Sequence, residues 1–128
     1  MYKLIKNTSD YWDFILDLRN DPRVKIGFVQ QKEISRQDHS MYMQAFGDSF
    51  YICLDSDKPI GYIGVINNDI RVATRPDYQG RGVAKFMVNE VMKAHPQAFA
   101  KVKIENEASL RLFESCGFKR KFYILEKP

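Results

Sequence analysis

The segment from Phe50 to Thr74 leaves the chain few folds to choose from. Three apolar runs, Phe50 to Leu54, Pro59 to Ile66 and Asp69 to Thr74, are separated only by Asp55-Ser56-Asp57-Lys58 and by Asn67-Asn68. Asn, Asp and Ser tolerate the positive φ angles of tight reversals. Connections this short join antiparallel neighbours, because a parallel return needs a crossover of roughly a dozen residues. The segment therefore reads as a three-stranded meander, and everything else must pack around it.

Upstream, Tyr2 to Lys6 roughly alternates and reads as a first strand. Thr8 or Ser9 is placed to cap a helix whose apolar positions Tyr11, Trp12, Ile15, Leu16 and Leu18 fall at helical spacing. Pro22 disfavours helical geometry at Asp21, so that helix ends near Asn20, and residues 23–34 read as a loop. Ser35, with Asp38 three residues on, opens a second helix that stops at Gly47. Downstream, Val83 to Ala94 repeats apolar residues at 83, 87 and 91, with 84, 88 and 92 beside them, and Pro96 ends the pattern. Phe99 to Ile104 reads as a strand, Asn106 to Gly117 as a capped helix, and Phe118 to Leu125 as a last strand. A meander followed by a β-α-β crossover gives an α/β (α+β) mixed sheet, mostly antiparallel, with helices on both faces. At 128 residues, with no repeat and no Gly/Ser/Pro linker, residues 1–128 read as a single domain.

Composition excludes several classes. A hydrophobic share of 45% excludes wholesale disorder. Twenty Lys+Arg against sixteen Asp+Glu give a net charge of +4, which allows an anionic partner without naming one. Lys119-Arg120-Lys121 has no interleaved aromatics, so no nucleic-acid partner is expected. Cys53 and Cys116 are far apart and have no Cys or His beside them. That argues against a disulfide scaffold and a zinc ribbon, and no metal is expected. No apolar run approaches the ~20 residues of a membrane span, and the amino terminus has no secretory pattern. The expectation is a cytoplasmic chain without a membrane partner.

The chemistry-bearing stretch is Arg75-Pro76-Asp77-Tyr78-Gln79-Gly80-Arg81-Gly82-Val83-Ala84, between a strand and the most apolar helix. Gly80 and Gly82 permit backbone conformations that a Cβ would hinder. Amides at the start of the helix, with its dipole, would then suit a phosphate. Arg75, Arg81 and Lys85 add positive charge there. A glycine-containing turn of no further significance is the competing explanation. A nucleotide P-loop would need Gly-Lys-Ser/Thr, and a dinucleotide fingerprint a small residue where Lys85 stands; both fail.

Gln79-Gly80-Arg81-Gly82-Val83-Ala84 resembles the Gln/Arg-x-x-Gly-x-Gly/Ala signature of the GNAT N-acetyltransferases. Asn106-Glu107-Ala108-Ser109-Leu110-Arg111-Leu112-Phe113-Glu114-Ser115-Cys116-Gly117-Phe118 is similar to that family's Asn-x-x-Ser-x-x-x-Tyr/Phe-x-x-x-Gly-Phe pattern. Local folding alone explains part of the second block, since Asn106 is a good helix cap and Gly117-Phe118 a good helix ending.

The resemblance implies a GNAT-like fold with acetyl-CoA in a wedge between two splayed parallel strands, here 69–74 and 99–104. Backbone groups of Val72, Ala73 and Thr74 would pair with the pantetheine, and an N–H near Ala73 or Thr74 would hold the oxyanion. Amides of Gln79, Gly80, Arg81, Gly82, Val83 and Ala84 would hold the pyrophosphate. Asn106 and Ser109 would lie along the pantetheine, with Phe113 near the thioester. Phe113 stands where many members place a tyrosine that protonates the leaving sulfur, and Tyr123 is a candidate substitute. His39 and Glu105 are candidate bases, with water as the alternative carrier of the proton.

Leu18-Arg19-Asn20-Asp21-Pro22-Arg23-Val24, with Ile34, His39 and Tyr42, is similar to the Trp-Arg-Asn-Asp…Val…Ile…His…Trp run of aminosugar N-acetyltransferases. Leu18 and Tyr42 replace two of that branch's tryptophans. This resemblance implies a nucleotide-linked amino sugar as acceptor, with Arg19 and Asn20 as contacts unless they only finish the helix. The function expected is acetyl transfer from acetyl-CoA to a primary amine of a small molecule. A protein or peptide N-acetyltransferase and a non-catalytic CoA-binding module are the alternatives, and a homodimer is allowed.

Overall fold

The computed structural model describes residues 1–128. Strands β1 (Tyr2–Lys6), β2 (Phe50–Asp55), β3 (Lys58–Ile66) and β4 (Asp69–Thr74) form one antiparallel sheet in chain order. The β3–β4 turn is the two-residue reversal expected from Asn67-Asn68, with φ of 51° and 67°. At the other hairpin Ser56 takes φ 54° and Asp55 pairs with Lys58.

Alternation along the strands divides the core in two. Ile52, Leu54, Tyr62 and Ala73 face helices α1 (Trp12–Asn20) and α3 (Arg36–Phe46), where they meet Ile15, Leu18 and Met43. Cys53, Ile63, Val65 and Ile70 face α4 (Val83–Ala94) and α5 (Glu107–Ser115), where they meet Val83, Met87, Val88, Val91 and Phe113. Both faces are covered, so β3 is buried from Ile60 to Val65. No helix is long and apolar enough to cross a membrane.

Several expectations need correction. The loop expected over 23–34 begins with a short helix, α2 (Pro22–Lys25), with Pro at its start and the Asp21 carboxylate accepting the Arg23 N–H at 2.9 Å. Neither Thr8 nor Ser9 caps α1 through its side chain, because a 3₁₀ turn at Ser9–Tyr11 precedes it. Ser35 does cap α3, its hydroxyl accepting the Asp38 N–H at 3.1 Å.

The strand expected at 99–104 reduces to one parallel bridge between Phe99 and Asp69. There the Phe99 N–H donates to Asn68 O at 2.7 Å and the Ile70 N–H to Phe99 O at 2.9 Å. Ala100 and Val102 then pack against the α4 cluster, while Lys101 and Lys103 reach Asp69 and Glu105. β-Branched composition favours a strand only where a neighbouring backbone completes the ladder. The last strand, expected over 118–125, has no such neighbour. Residues 119–128 are exposed and form no regular element.

β3 lies close under its neighbours at Gly61. A Cβ added there would stand 2.8 Å from the Ala73 carbonyl oxygen and 2.9 Å from Met87 Cε. Because one of those atoms is backbone, Gly61→Ala is expected to destabilise the protein by about 1–3 kcal/mol in denaturant unfolding. An unchanged midpoint would show that β4 yields freely at this position.

Candidate active site

The two edges of β4 differ. Its odd-numbered amides point to β3, as the Arg75 N–H shows by donating to Ile60 O at 2.8 Å. Its even-numbered amides point the other way, and the Ile70 N–H takes the Phe99 carbonyl. Alternation therefore directs the N–H and C=O of Val72 and Thr74 to an edge with no strand beside it. Ala73 is directed into the sheet opposite Tyr62, so it is neither the free oxyanion donor nor the pantetheine partner expected of it. Thr74 is 7% exposed and its buried hydroxyl oxygen has no partner. Buried polar atoms are ordinarily satisfied, so this hydroxyl retains the capacity to bond one further atom.

Beyond Thr74 the chain runs through a 3₁₀ turn (Pro76–Tyr78) into the glycine pair. Gly80 and Gly82 both have φ +79°, and a Cβ at either would meet no protein atom within 4 Å. Gly82 is the N-cap of α4 and no side chain caps the helix. The first intrahelical bond runs from the Phe86 N–H to Gly82 O at 3.0 Å, which leaves the amides of Val83, Ala84 and Lys85 free of helical partners. No acidic residue stands in that first turn. Gln79 and Arg81 are exposed beside it. The Arg81 guanidinium lies 4.9 Å from the Tyr78 ring centroid and Lys58 Nζ 5.3 Å from the same ring. Tyr78 is anchored in turn by donating to Asp55 Oδ2 at 2.9 Å. Lys58 is a cation the sequence did not place here. Arg75 is instead bound to Asp77, at 3.1 and 3.3 Å, so its charge is answered locally.

An open strand edge ending in an uncapped, glycine-led helix fits an elongated ligand with amides along its arm and phosphates at its end. The donor set is a row of free backbone N–H and C=O groups followed by a cluster of N–H groups flanked by cations.

The other expected site residues are divided. Asn106 Oδ1 accepts the Ser109 N–H at 3.1 Å, capping α5, and Asn106 Nδ2 donates to Gly27 O at 3.2 Å, so its side chain is already committed at both ends. Phe113 is 6% exposed in the α4 core, with its ring 5.2 Å from that of Phe118. It is a packing residue, not a thioester contact. Tyr123 is 88% exposed on the carboxy-terminal segment, in no regular element. Glu105 is exposed and 3.4 Å from Lys103. A hydrogen bond from its own amide and the Lys103 ammonium hold its carboxyl below the usual range, which weakens it as a base. Asn20 spends both amide atoms on Ile34, accepting its N–H at 2.9 Å and donating to its carbonyl at 2.8 Å.

Arg19 and His39 are brought together. His39 is 2% exposed; its Nε2 lies 2.8 Å from Trp12 O and its Nδ1 3.1 Å from Arg19 Nη1. A carbonyl only accepts and a guanidinium only donates, so His39 is the neutral Nε2–H tautomer with both nitrogens engaged. Burial, opposed in part by the Trp12 hydrogen bond, lowers its pKa. His39 thus has no free lone pair for an incoming proton. Arg19 also lies over the Tyr42 ring, 4.6 Å from its centroid, and Arg71 Nη1 donates to Tyr42 Oη at 3.2 Å. Arg71 and Tyr42 were missed as a pair because only the strand's alternation puts Arg71 on the α1–α3 face. Burial holds the Cys53 thiol at a pKa of about 11, which removes it as a nucleophile.

A cavity of about 470 Å³ lies between α1 and the turn that follows β4, lined among others by Asp17, Leu18, Arg23 and Arg75. Its Asp21–Arg23 and Asp77–Arg75 pairs are closed on themselves.

The sequence matches the Acetyltransferase (GNAT) family over residues 12–118. No curated protein matches the chain. Among solved structures, a spermidine N-acetyltransferase from Vibrio cholerae in complex with CoA and spermine superposes with a TM-score of 0.86 at 18% identity, covering 98% of this chain and 85% of that one. A ribosomal-protein-alanine N-acetyltransferase from Brucella melitensis gives 0.77 at 14% identity, over 91% and 84%. A transcriptional regulator from Bacillus halodurans gives 0.75 at 11% identity, over 100% and 99%. At such identities the likeness establishes the fold.

The neutral state of His39 has a stability consequence. A lowered folded pKa means the unfolded chain binds the proton more readily. The contribution is complete above the ordinary value of 6.5 and is lost as pH falls through the lower folded value. Thermal stability is expected to fall as pH drops below about 6.5, with a shallower slope in His39→Gln. Equal slopes in both proteins would place the pH dependence elsewhere.

Proposed function

Because the chain belongs to the Acetyltransferase (GNAT) family, we propose that it moves the acetyl group of acetyl-CoA to the primary amine of a small molecule. The observation that carries this reading is the continuity of the free β4 edge at Val72 and Thr74 with the glycine-led start of α4. The finer proposal for the acceptor is a nucleotide-linked amino sugar, supported by the Leu18–Val24 run with Ile34, His39 and Tyr42.

In this mechanism Val72 and Thr74 bind the pantetheine by strand-like pairing, and the amides from Gly80 to Lys85 hold the pyrophosphate, with Arg81 and Lys58 answering its charge. The Thr74 N–H is the donor available to the carbonyl oxygen as the neutral amine attacks and negative charge develops. The carbon–sulfur bond then breaks and CoA leaves as a thiolate. With an ordinary thiol pKa near ~8.5, that departure needs no strong acid. The amine's surplus proton passes to water, since His39 is engaged at both nitrogens and Glu105 is exposed and weakly basic.

Thermal-shift titration with acetyl-CoA, followed by thiol-release assays over a panel of amines, tests the reading. Saturable binding with release of CoA thiol by at least one amine is expected. Binding without turnover across the panel would leave a CoA-binding module. Gly82→Ala is expected to weaken acetyl-CoA at least ~10-fold, about 1.4 kcal/mol. Because a Cβ at Gly82 meets only open space, the unliganded protein should lose no more than the ~1–2 kcal/mol of a left-handed backbone. Undiminished affinity would remove the glycine loop from the site.

A further inference from the structure

On the α1–α3 face of the sheet, beside the free edge of β4, two guanidiniums converge on one tyrosine. Arg71 projects from β4 to the Tyr42 hydroxyl, and Arg19 comes from the end of α1 to cover the Tyr42 ring. Arg19 is half-buried, and its partners are an imidazole nitrogen and a phenol ring, with no carboxylate among them. A guanidinium drawn out of water is ordinarily paired, and Arg19 has five N–H donors of which His39 engages one group. Arg71 is only partly compensated. Asp69 lies 3.5 Å from its Nη2, yet the same carboxylate is shared with Lys101 at 3.8 Å. One anion therefore serves two cations, and Arg19 has none.

The pair is held in position. His39, kept neutral by burial, presents the Nδ1 lone pair that orients Arg19. Tyr42 is braced edge-on by Phe50, with ring centroids 6.2 Å apart, and Phe46 packs on it at 5.0 Å. Tyr62 lies beneath, 3% exposed on β3 opposite Ala73, and burial keeps its phenol protonated as a neutral donor. Of the carboxylates nearby, Asp21 and Asp77 are bound to Arg23 and Arg75, and Asp17 is exposed on α1.

We propose that Arg19 and Arg71 form a receptor for an anionic group of the acceptor, a carboxylate or a phosphate carried near the amine that is acetylated. The proposal rests on the acetyl-transfer reading for its location and names the acceptor's chemistry. Arg19 presents a flat fork suited to two oxygens, and Arg71 closes on the same group from the strand. His39 acts as a positioning residue through Arg19. A polycationic amine would meet two guanidiniums here, and is disfavoured.

Matched acceptors test it. With acetyl-CoA saturating, thiol release is compared for 4-aminobutanoate against 1,4-diaminobutane, and for O-phosphoethanolamine against ethanolamine. The carboxylate and phosphate arms separate the two sources of the anion. At least one anionic member is expected to exceed its partner in kcat/KM by about 10-fold or more. Arg19→Gln and Arg71→Gln should raise KM for that acceptor about 10-fold while leaving acetyl-CoA affinity unchanged, with partial recovery in Arg19→Lys. Preference for the diamine, or equal KM in wild type and both variants, would overturn the proposal. Calorimetric binding of O-phosphoethanolamine and 4-aminobutanoate to the protein saturated with CoA gives a readout that needs no turnover. Tighter binding to wild type than to Arg71→Gln, an exposed position whose loss spares the core, upholds the receptor even if no amine is acetylated. Equal binding rejects it even if amines are.

Discussion

β4 is bonded to β3 along one edge and to the segment after α4 at a single point on the other. The Ile70–Phe99 bond closes the strand's beginning, and Asp69 draws Lys101 in beside it. Past that point Ala100 and Val102 turn to the α4 core, so the amides of Val72 and Thr74 remain unpaired. Free backbone groups are costly when desolvated, and an unpaired edge invites non-specific strand addition. The fold tolerates this one because both faces of β4 are covered and the strand has little freedom to move. Ala73 is packed under α1 and α3, and Ile70 under α4.

The glycine loop depends on the same strand. β4 delivers the chain to Arg75, whose N–H still belongs to the β3 ladder, and the Arg75–Asp77 pair with the Tyr78–Asp55 hydrogen bond fixes the turn that follows. Gly80 and Gly82 then reverse the chain into α4 with their Cβ positions open to solvent. Apolar packing of Val83, Met87, Val88 and Val91 fixes the helix, so its uncapped end stays where β4 leaves off. Strand edge and helix terminus thus form one continuous set of donors.

Local signals were legible where local physics decides. The Asn67-Asn68 turn, the Ser35 cap, the α4 stripe and the Asn106-to-Gly117 helix each require only neighbouring residues. Gly117 at φ +92°, with the Phe118 N–H donating to Phe113 O at 3.0 Å, gives the helix ending read from the sequence. The segments 99–104 and 118–125 misled because β propensity carries no information about a partner. The site was legible as a loop and not as a set of side chains. Gly80 and Gly82 announce themselves by residue type, whereas Phe113 proves to be core and Asn106 and Asn20 ties between segments. His39 was readable as titratable, but its burial between Trp12 and Arg19 follows from the packing of α1 on α3. Arg71 and Tyr42 lie 29 residues apart and meet only through the sheet.

The chain's positive excess takes on meaning once its surface ion pairs are set aside. Arg23–Asp21, Arg36–Asp13, Arg75–Asp77, Lys93–Glu90 and Arg120–Glu114 each have at least one solvent-exposed partner, and contacts of this kind contribute little, about 0–1 kcal/mol each. Two pairs of the remaining cations converge on aromatic rings: Arg81 and Lys58 around Tyr78, and Arg19 and Arg71 around Tyr42. The second pair bears on the proton of the ammonium. Like charges nearby lower an amine's pKa. An acceptor whose anion binds one guanidinium still leaves its ammonium in the field of the other, which favours the neutral, nucleophilic form. A site with no free base can therefore present a competent amine by arranging charge, and the same arginines that select the acceptor prepare it to react.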